Sequence, residues 1–272
     1  MHYNYNGFKI HYEMIGCGKP IIILHGLGCN LELMKGCMEP ILSEVENYKR
    51  IYVDLPGMGE SDAMIDFATS DEILEILISF ILNITEQNFL LIGESYGGYL
   101  ARGILSRLYN RIEGMFLLCP VVTPNHENRT IPNVTVKFND SIYLDTLPEA
   151  VKQGFCEYSV LANEQTYHRY QAEILPGLKQ ANSEFIAKLE SNYSFEFDVD
   201  QIIKKIHFSK PTLFICGRQD VCVGYQDLWN ILEDYSRATF SVLDVAGHNL
   251  QIEQPDLFNA LVYNWLERVE KY

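Results

Sequence analysis

The sequence predicts an α/β protein, a doubly wound and mostly parallel β-sheet that carries an inserted helical segment. Two observations lead to this prediction. Short apolar runs alternate with longer stretches of helical periodicity along most of the 272 residues. The apolar runs are also nearly continuous, as expected for strands that are buried on both faces. The alternation is interrupted only between residues 121 and 210, which predicts the insertion.

Seven segments have the apolar composition of buried strands. In chain order they are Phe8–Ile15, Pro20–Leu24, Arg50–Val53, Phe89–Ile92, Met115–Cys119, Thr212–Cys216 and Thr239–Val245. Helical spacing of apolar residues lies between them, at Ser70–Gln87, Tyr99–Tyr109, Gln226–Tyr235 and Asp256–Glu270. Ser70 is the expected N-cap of the first helix, because an acidic residue follows it. This alternation of strands and helices is typical of a parallel sheet.

Residues 121–210 have no clear pattern of parallel strands. A structureless loop of that length is improbable in a compact domain. Three stretches look helical: Thr146–Ala162, Glu164–Leu175 and Ser183–Tyr193. We therefore expect a core formed by residues 1–120 and 211–272, covered by a mainly helical lid formed by residues 121–210.

Composition narrows the classes of partner. The net charge is −15, from 36 acidic and 21 basic residues, and the acidic excess is dispersed. Such a surface repels phosphate backbones and anionic lipids, so we expect a small-molecule substrate and neither nucleic acid nor membrane as partner. No signal-peptide pattern or membrane-length apolar stretch is present, and the seven cysteines include no C-x-x-C pair. These features lead us to expect a cytoplasmic protein. Asp54 has no second ligand at metal spacing, so we expect neither a metal nor a cofactor.

Residues 93–97 read Gly-Glu-Ser-Tyr-Gly, a G-x-S-x-G match between a predicted strand and a predicted helix. A turn this tight needs glycine on either side of the serine. It also pushes the Ser95 hydroxyl out above the edge of the sheet, which predicts a nucleophile. The backbone N–H of Tyr96 would then lie at a helix N-terminus, where it favours an oxyanion. The alternative is a glycine-rich turn whose serine only caps the helix.

A serine hydroxyl needs a positioned base at neutral pH. Among seven histidines, His248 follows the last predicted strand and therefore shares the sheet edge of Ser95. Asp220 follows the preceding strand at that edge, and it would fix the tautomer of His248. Asp227 and Asp244 are rivals for this role, although one lies in a helical pattern and the other in a strand. We expect activity to rise with pH near an ordinary histidine pKa of about 6–7.

Five segments together resemble the α/β-hydrolase family, and they span nearly the whole chain. They are residues 25–28 (His-Gly-Leu-Gly), 54–61 (Asp-Leu-Pro-Gly-Met-Gly-Glu-Ser), 93–97, 217–220 (Gly-Arg-Gln-Asp) and 247–249 (Gly-His-Asn). The order Ser, Asp, His also agrees with that family. The resemblance implies an oxyanion hole formed by the backbone N–H groups of Leu27 and Tyr96. It gives His25 a structural role instead of a catalytic one.

These features predict a lidded, carboxylesterase-like serine hydrolase that cleaves a small or medium neutral ester through an acyl-enzyme. A serine nucleophile differs from the aspartate of the family's epoxide hydrolases and haloalkane dehalogenases. Residues 25–28 also lack the His-Gly-Gly-Pro segment of its proline iminopeptidases. Two alternatives remain open. The same three residues fit C–C bond hydrolysis, perhydrolysis or acyl transfer, and a non-catalytic ligand receptor would keep them with negligible turnover.

Overall fold

The computed structural model describes residues 1–133 and 136–272; Val134 and Thr135 of the predicted insertion lie outside the described residues. Within the described residues there are ten strands. They are β1 (His2–Tyr5), β2 (Phe8–Gly16), β3 (Lys19–Leu24), β4 (Tyr48–Val53), β5 (Phe89–Glu94), β6 (Ile112–Leu118), β7 (Phe138–Asn139), β8 (Leu161–Ala162), β9 (Thr212–Gly217) and β10 (Ala238–Leu243). All seven predicted strands are present, with shifted ends.

Eight strands form the central sheet, in the order β1-β2-β4-β3-β5-β6-β9-β10. The six strands from β4 to β10 in that order run parallel, while β2 pairs antiparallel with both of its neighbours, β1 and β4. The predicted fold class, an α/β protein with a mostly parallel sheet, is therefore confirmed. Strand β1 was not predicted. It pairs with β2 through Asn6 and Gly7, whose φ angles of 52° and 91° suit a tight hairpin.

The helices of the core lie between its strands along the chain, and the last helix follows the last strand. They are α1 (Leu31–Leu42), α2 (Ser70–Ile84), α3 (Ser95–Leu108), α10 (Tyr225–Asn230), α11 (Leu250–Glu253) and α12 (Pro255–Lys271), and the helices between α3 and α10 belong to the insertion. The expected N-cap of α2 was wrong. Thr69 caps the helix by accepting a hydrogen bond from the Glu72 N–H at 3.1 Å. The Ser70 hydroxyl instead donates to the Tyr193 carbonyl at 2.6 Å.

The insertion between β6 and β9 is mainly helical. It contains α4 (Ser141–Leu144), α5 (Glu149–Tyr158), α6 (Glu164–Glu173), α7 (Leu175–Gln180), α8 (Ser183–Glu190) and α9 (Val199–Ile206), together with the short pair β7 and β8. Hydrogen bonds tie it to the core. Arg169 donates to the Gln251 carbonyl at 2.6 Å, and the Asn182 N–H donates to the Gly57 carbonyl at 2.9 Å. None of the helices in the described part of the chain is long and apolar enough to cross a bilayer.

The winding of the sheet creates a crevice at one edge. From β3 the chain moves outward to β4, and it then crosses back to β5 on the other side of β3. The loops that follow β3 and β5 therefore diverge at the carboxyl ends of these strands. Such a switch point is where ligands bind in open α/β sheets. The loops after β9 and β10 reach the same edge.

Candidate active site

Ser95 directly follows β5 and is the first residue of α3. Its φ angle is +51°, in the left-handed region that non-glycine residues rarely adopt. The turn is also too crowded for a side chain two residues later. A Cβ on Gly97 would lie 2.6 Å from the carbonyl oxygens of both Leu24 and His25. Glycine at 97 therefore allows the turn that carries Ser95, here called the elbow, to pack against the end of β3.

The three side chains that the sequence singles out lie in one hydrogen-bonded chain. His248 Nε2 is 2.9 Å from Ser95 Oγ, and His248 Nδ1 is 2.8 Å from Asp220 Oδ2. The other oxygen of Asp220 accepts hydrogen bonds from the backbone N–H groups of Cys222 at 2.7 Å and Val223 at 3.0 Å. These two bonds hold the carboxylate, which is 1% exposed, so that Oδ2 faces the imidazole.

The loop after β3 is held by His25. The Leu55 N–H donates to His25 Nε2 at 3.0 Å, so the proton of the neutral ring is on Nδ1, which donates to the Gly26 carbonyl at 2.8 Å. Burial lowers the pKa of His25, which keeps the ring neutral. Both ring nitrogens are engaged, so His25 serves the loop and is not free to act as a base.

The two residues expected to supply the oxyanion hole follow β5 and β3. Tyr96 is in the first turn of α3, where a backbone N–H has no acceptor within the helix. Leu27 follows β3 and lines the same cavity as Ser95. The loop touches the nucleophile, because a Cβ on Gly26 would lie 3.1 Å from the Cβ of Ser95. Tyr96 is thus the chain neighbour of Ser95, and Leu27 shares its cavity.

A cavity of about 1070 Å³ opens at Ser95 and His248. Its apolar wall comes mainly from the insertion and includes Leu27, Tyr170, Ile174, Leu178 and Ile186. Its polar wall includes Asn125, His126, Arg129, Glu157, Glu190 and Asn192. Arg129 is the only lysine or arginine among the described residues that line the cavity. The volume fits a small-molecule ligand of drug size or somewhat larger.

Comparison with known proteins decides the family. A family model described as alpha/beta hydrolase fold matches residues 19–255. This chain belongs to the α/β-hydrolase family. The predicted resemblance is therefore confirmed, and the chain is a member of a family of hydrolases.

Individual proteins that resemble this chain are also α/β-hydrolases or share their fold. The crystal structure of an alpha/beta superfamily hydrolase from Oenococcus oeni PSU-1 has 36% sequence identity and a TM-score of 0.90, with 100% of both chains covered. An esterase from Exiguobacterium antarcticum has 21% identity and a TM-score of 0.74, with 96% of this chain and 97% of that chain covered. At that identity it shows a shared fold alone. A 2-hydroxy-6-oxononadienedioate/2-hydroxy-6-oxononatrienedioate hydrolase from Klebsiella pneumoniae is 25% identical over 265 residues, covering 96% of this chain and 91% of its own.

The other acidic candidates in this α/β-hydrolase have different partners. The Asp244 carboxylate accepts from the Gln219 side chain at 2.6 Å, and the Asp227 carboxylate accepts from the Thr130 N–H at 3.3 Å. Asp54 accepts from the Glu60 N–H at 3.0 Å within the turn that it begins. These bonds leave Asp220 as the carboxylate hydrogen-bonded to His248.

One set of potential metal ligands overlaps the same site. The ligand atoms of Cys119, Asp220 and His248 lie within 4.8 Å of one another. Burial raises the pKa of the Cys119 thiol well above its usual value, whereas metals bind the thiolate. The carboxylate and the imidazole are already hydrogen-bonded to each other. This donor set is therefore poorly suited to a metal ion.

Sequence reasoning missed Glu94, the buried residue immediately before the nucleophile. Its side chain is 4% exposed in the fold, and Oε1 lies 3.5 Å from His248 Nε2. Burial lowers the pKa of His248, but the charge and hydrogen bond of Asp220 and the charge of Glu94 raise it more, to about 9. The expected titration near 6–7 therefore moves upward. A signal was available in the sequence, because a charged residue occupies the x position of Gly-x-Ser directly after an apolar strand.

Proposed function

We propose that this α/β-hydrolase is a serine hydrolase that cleaves a small or medium ester through an acyl-enzyme. Ser95 is the nucleophile, His248 is the base and Asp220 is the supporting acid. The observation that carries the proposal is the continuous chain from Ser95 Oγ through both ring nitrogens of His248 to Asp220, with distances of 2.9 and 2.8 Å. Both distances are within hydrogen-bonding range for proton transfer.

The mechanism follows from the direction of this chain. Ser95 Oγ attacks the ester carbonyl carbon while its proton moves to His248 Nε2. Asp220 stabilises the imidazolium from Nδ1. The carbonyl oxygen becomes an oxyanion that accepts hydrogen bonds from the Leu27 and Tyr96 N–H groups, and the loss of one such donor costs about 3 kcal/mol of barrier. The imidazolium then protonates the leaving alkoxide. Water, deprotonated by His248, then attacks the acyl carbonyl carbon. The acyl–Oγ bond breaks, the carboxylic acid is released, and the imidazolium returns the proton to Ser95 Oγ.

The proposal assigns residues 121–210 the role of a lid over a core formed by residues 1–120 and 211–272. Support comes from the cavity, whose apolar wall is built largely by α6, α7 and α8 of the insertion. An ester with an apolar acyl or alcohol group would bury that group against Ile174, Leu178 and Ile186. We also propose a reducing compartment such as the cytoplasm, which is supported by seven cysteines that are all free thiols.

A second candidate is hydrolysis of a C–C bond next to a ketone. The Klebsiella pneumoniae relative is named for a substrate of this kind, an oxo-dienedioate that carries two carboxylates. Arg129 supports this candidate because it places a cation in the cavity. Three of its N–H groups are held by the carbonyl oxygens of Thr123, Pro124 and Cys222 at 2.9 to 3.0 Å, which fixes its position. Two donors remain for a carboxylate.

The test is a substrate panel measured on matched serine variants. The panel contains p-nitrophenyl esters from acetate to octanoate and a 2-hydroxy-6-oxo-dienoate. Ser95→Ala should lower kcat/KM at least about 1000-fold. Ser106→Ala is the control, because it removes a hydroxyl from the same helix α3 that donates only to the Gly103 carbonyl. Undiminished ester turnover by Ser95→Ala would refute the proposal. Turnover of the dienoate without turnover of any ester would select the second candidate.

A further inference from the structure

Glu94 has a polar atom that the fold leaves unsatisfied. The residue ends β5, and its Oε2 is buried without a hydrogen-bond partner in the part of the chain that the structure describes. An unpartnered buried carboxyl oxygen is costly, and a native fold retains few such atoms. The local packing is also specific. A Cβ on Gly26 would collide with Oε2, so glycine at position 26 makes room for this carboxyl group.

The carboxyl group of Glu94 faces the base from the side opposite to Asp220. Glu94 Oε1 lies 3.5 Å from His248 Nε2, the same nitrogen that faces Ser95 Oγ. Asp220 occupies Nδ1 on the other side of the ring. The imidazole therefore lies between two buried carboxyl groups: Asp220 is hydrogen-bonded to Nδ1, and Glu94 approaches Nε2. A serine, a histidine and one aspartate would be sufficient for the proposed acyl transfer, so the second carboxyl group needs its own explanation.

We propose that Glu94 is a positioning residue that sets the protonation state of His248, holding it as the imidazolium near neutral pH and so delaying its action as a base. This inference rests on the proposed function of the same site. The imidazolium carries a proton on each nitrogen, and the Nε2 proton lies between Ser95 Oγ and Glu94 Oε1. When Glu94 is ionised, removing that proton costs the attraction between the two groups. The base is then available only at higher pH.

The charges around the pair support this account. Burial and the charge of Asp220 raise the pKa of Glu94, while the charge of His248 and the nearby backbone N–H of Gly26 lower it, and the result is about 7. With the pKa of His248 at about 9, the pair is carboxylate and imidazolium between these two values. Arg129 opposes the effect by lowering the pKa of His248.

The buried thiols and the phenol near the pair are neutral in this range. Burial raises the pKa values of the thiols of Cys29, Cys119 and Cys222 and of the Tyr193 phenol. They therefore carry no charge that would replace that of Glu94. Glu253 is a further buried carboxyl group at this site, accepting from the Gly247 N–H beside His248 at 2.6 Å, and it is present in both the wild type and Glu94→Gln. Removing the Glu94 charge is thus expected to lower the pKa of His248, leaving Asp220 as its ionised partner.

The first experiment compares Glu94→Gln with the wild-type protein. The Gln side chain keeps the size of Glu94 and removes its charge. We expect the rising limb of kcat/KM for p-nitrophenyl acetate, measured from pH 5 to 10, to move down by about 1–3 pH units. Glu75→Gln is the control for net charge, since Glu75 pairs with Arg107 away from the cavity, and its limb should coincide with that of the wild type. A Glu94→Gln limb that also coincides with the wild type would overturn the inference.

The second experiment does not depend on turnover. In ¹⁵N-histidine-labelled protein, the His248 resonance is assigned by its loss in His248→Gln and is titrated by NMR. The wild type should show two inflections, near 7 for Glu94 and near 9 for the ring, and Glu94→Gln should show one at lower pH. A single unshifted inflection in the wild type rejects the inference even where Glu94→Gln does not fold. Two inflections in a protein without Ser95-dependent hydrolysis would reject the proposed function and leave the electrostatic coupling intact.

Discussion

Replacing Asp220 with asparagine changes one atom of the site and reverses the direction of one hydrogen bond. The N–H groups of Cys222 and Val223 donate to Oδ1, so they will hold the amide oxygen of the new side chain in that place. The amide nitrogen must then occupy the position of Oδ2, 2.8 Å from His248 Nδ1. It donates to Nδ1, which forces the ring proton onto Nε2. Nε2 then faces Ser95 Oγ as a donor and cannot accept its proton.

The expected loss follows from the wrong tautomer and the lost charge. In serine–histidine–aspartate triads this change lowers kcat by about 10⁴-fold, which corresponds to about 5.4 kcal/mol of transition-state stabilisation. The assay is kcat/KM for p-nitrophenyl acetate at the optimal pH of each variant. Thermal unfolding checks that the variant is folded. Asp244→Asn is the matched control, since its exposed carboxylate accepts from Gln219 and not from His248. A folded Asp220→Asn variant within tenfold of the wild type would refute the reasoning.

Two other predictions concern the packing that holds the site together. Glu253 is buried and accepts from the N–H groups of Gly247 at 2.6 Å and Leu161 at 3.1 Å, so it joins the loop of His248 to the insertion. Glu253→Gln sets an amide donor against one of these donors, and we expect urea denaturation to show a loss of about 1–3 kcal/mol. The control Glu267→Gln weakens only an exposed pair with Lys271, so its stability should hardly change. Equal stability of the two variants would contradict this account. Gly97→Ala places a Cβ 2.6 Å from two carbonyl oxygens and should destabilise the protein by about 1–3 kcal/mol. Gly154→Ala, also in a helix but with its nearest neighbour at 4.0 Å, should stabilise it by up to about 1 kcal/mol, and the same sign for both variants would show that crowding at the elbow is not the cause.

The core of the fold was predictable because its strands are apolar on both faces. Continuous runs such as Pro20–Leu24 need a partner layer on each side, and that requirement is local enough to be read from the sequence. The order of the loops followed from the same reasoning, since parallel strands carry their carboxyl ends to one edge. This is why Ser95, Asp220 and His248 were expected near one another although they are distant in the chain.

Elements with weak local signals were missed. Helix α1 contains Gly36 and Pro40, which lower its intrinsic helical propensity, and burial of its apolar face stabilises it instead. Strand β1 is short and half exposed, so its residues have no apolar pattern. Its signal was the Asn6-Gly7 turn, which is typical of a two-residue hairpin.

The features that depend on distant packing were not readable from the sequence. The proximity of Glu94 to His248 arises only when the end of β5 meets the loop after β10, and that contact adds to the effect of Asp220 in raising the pKa of the base. The wall of the cavity also depends on packing between residues that are distant in the sequence. Ile174, Leu178 and Ile186 come from three different helices or their junctions, and no spacing in the sequence shows that they share a surface.

The central claim is that Ser95 is the nucleophile that becomes acylated. The most direct measurement is peptide mass spectrometry of the protein after reaction with a fluorophosphonate, which phosphonylates serine nucleophiles that are activated by a base. The account predicts a single adduct on Ser95 that is absent from Ser95→Ala and strongly slowed in Asp220→Asn. An adduct on another residue, or an equal rate of labelling in the wild type and in Asp220→Asn, would contradict it.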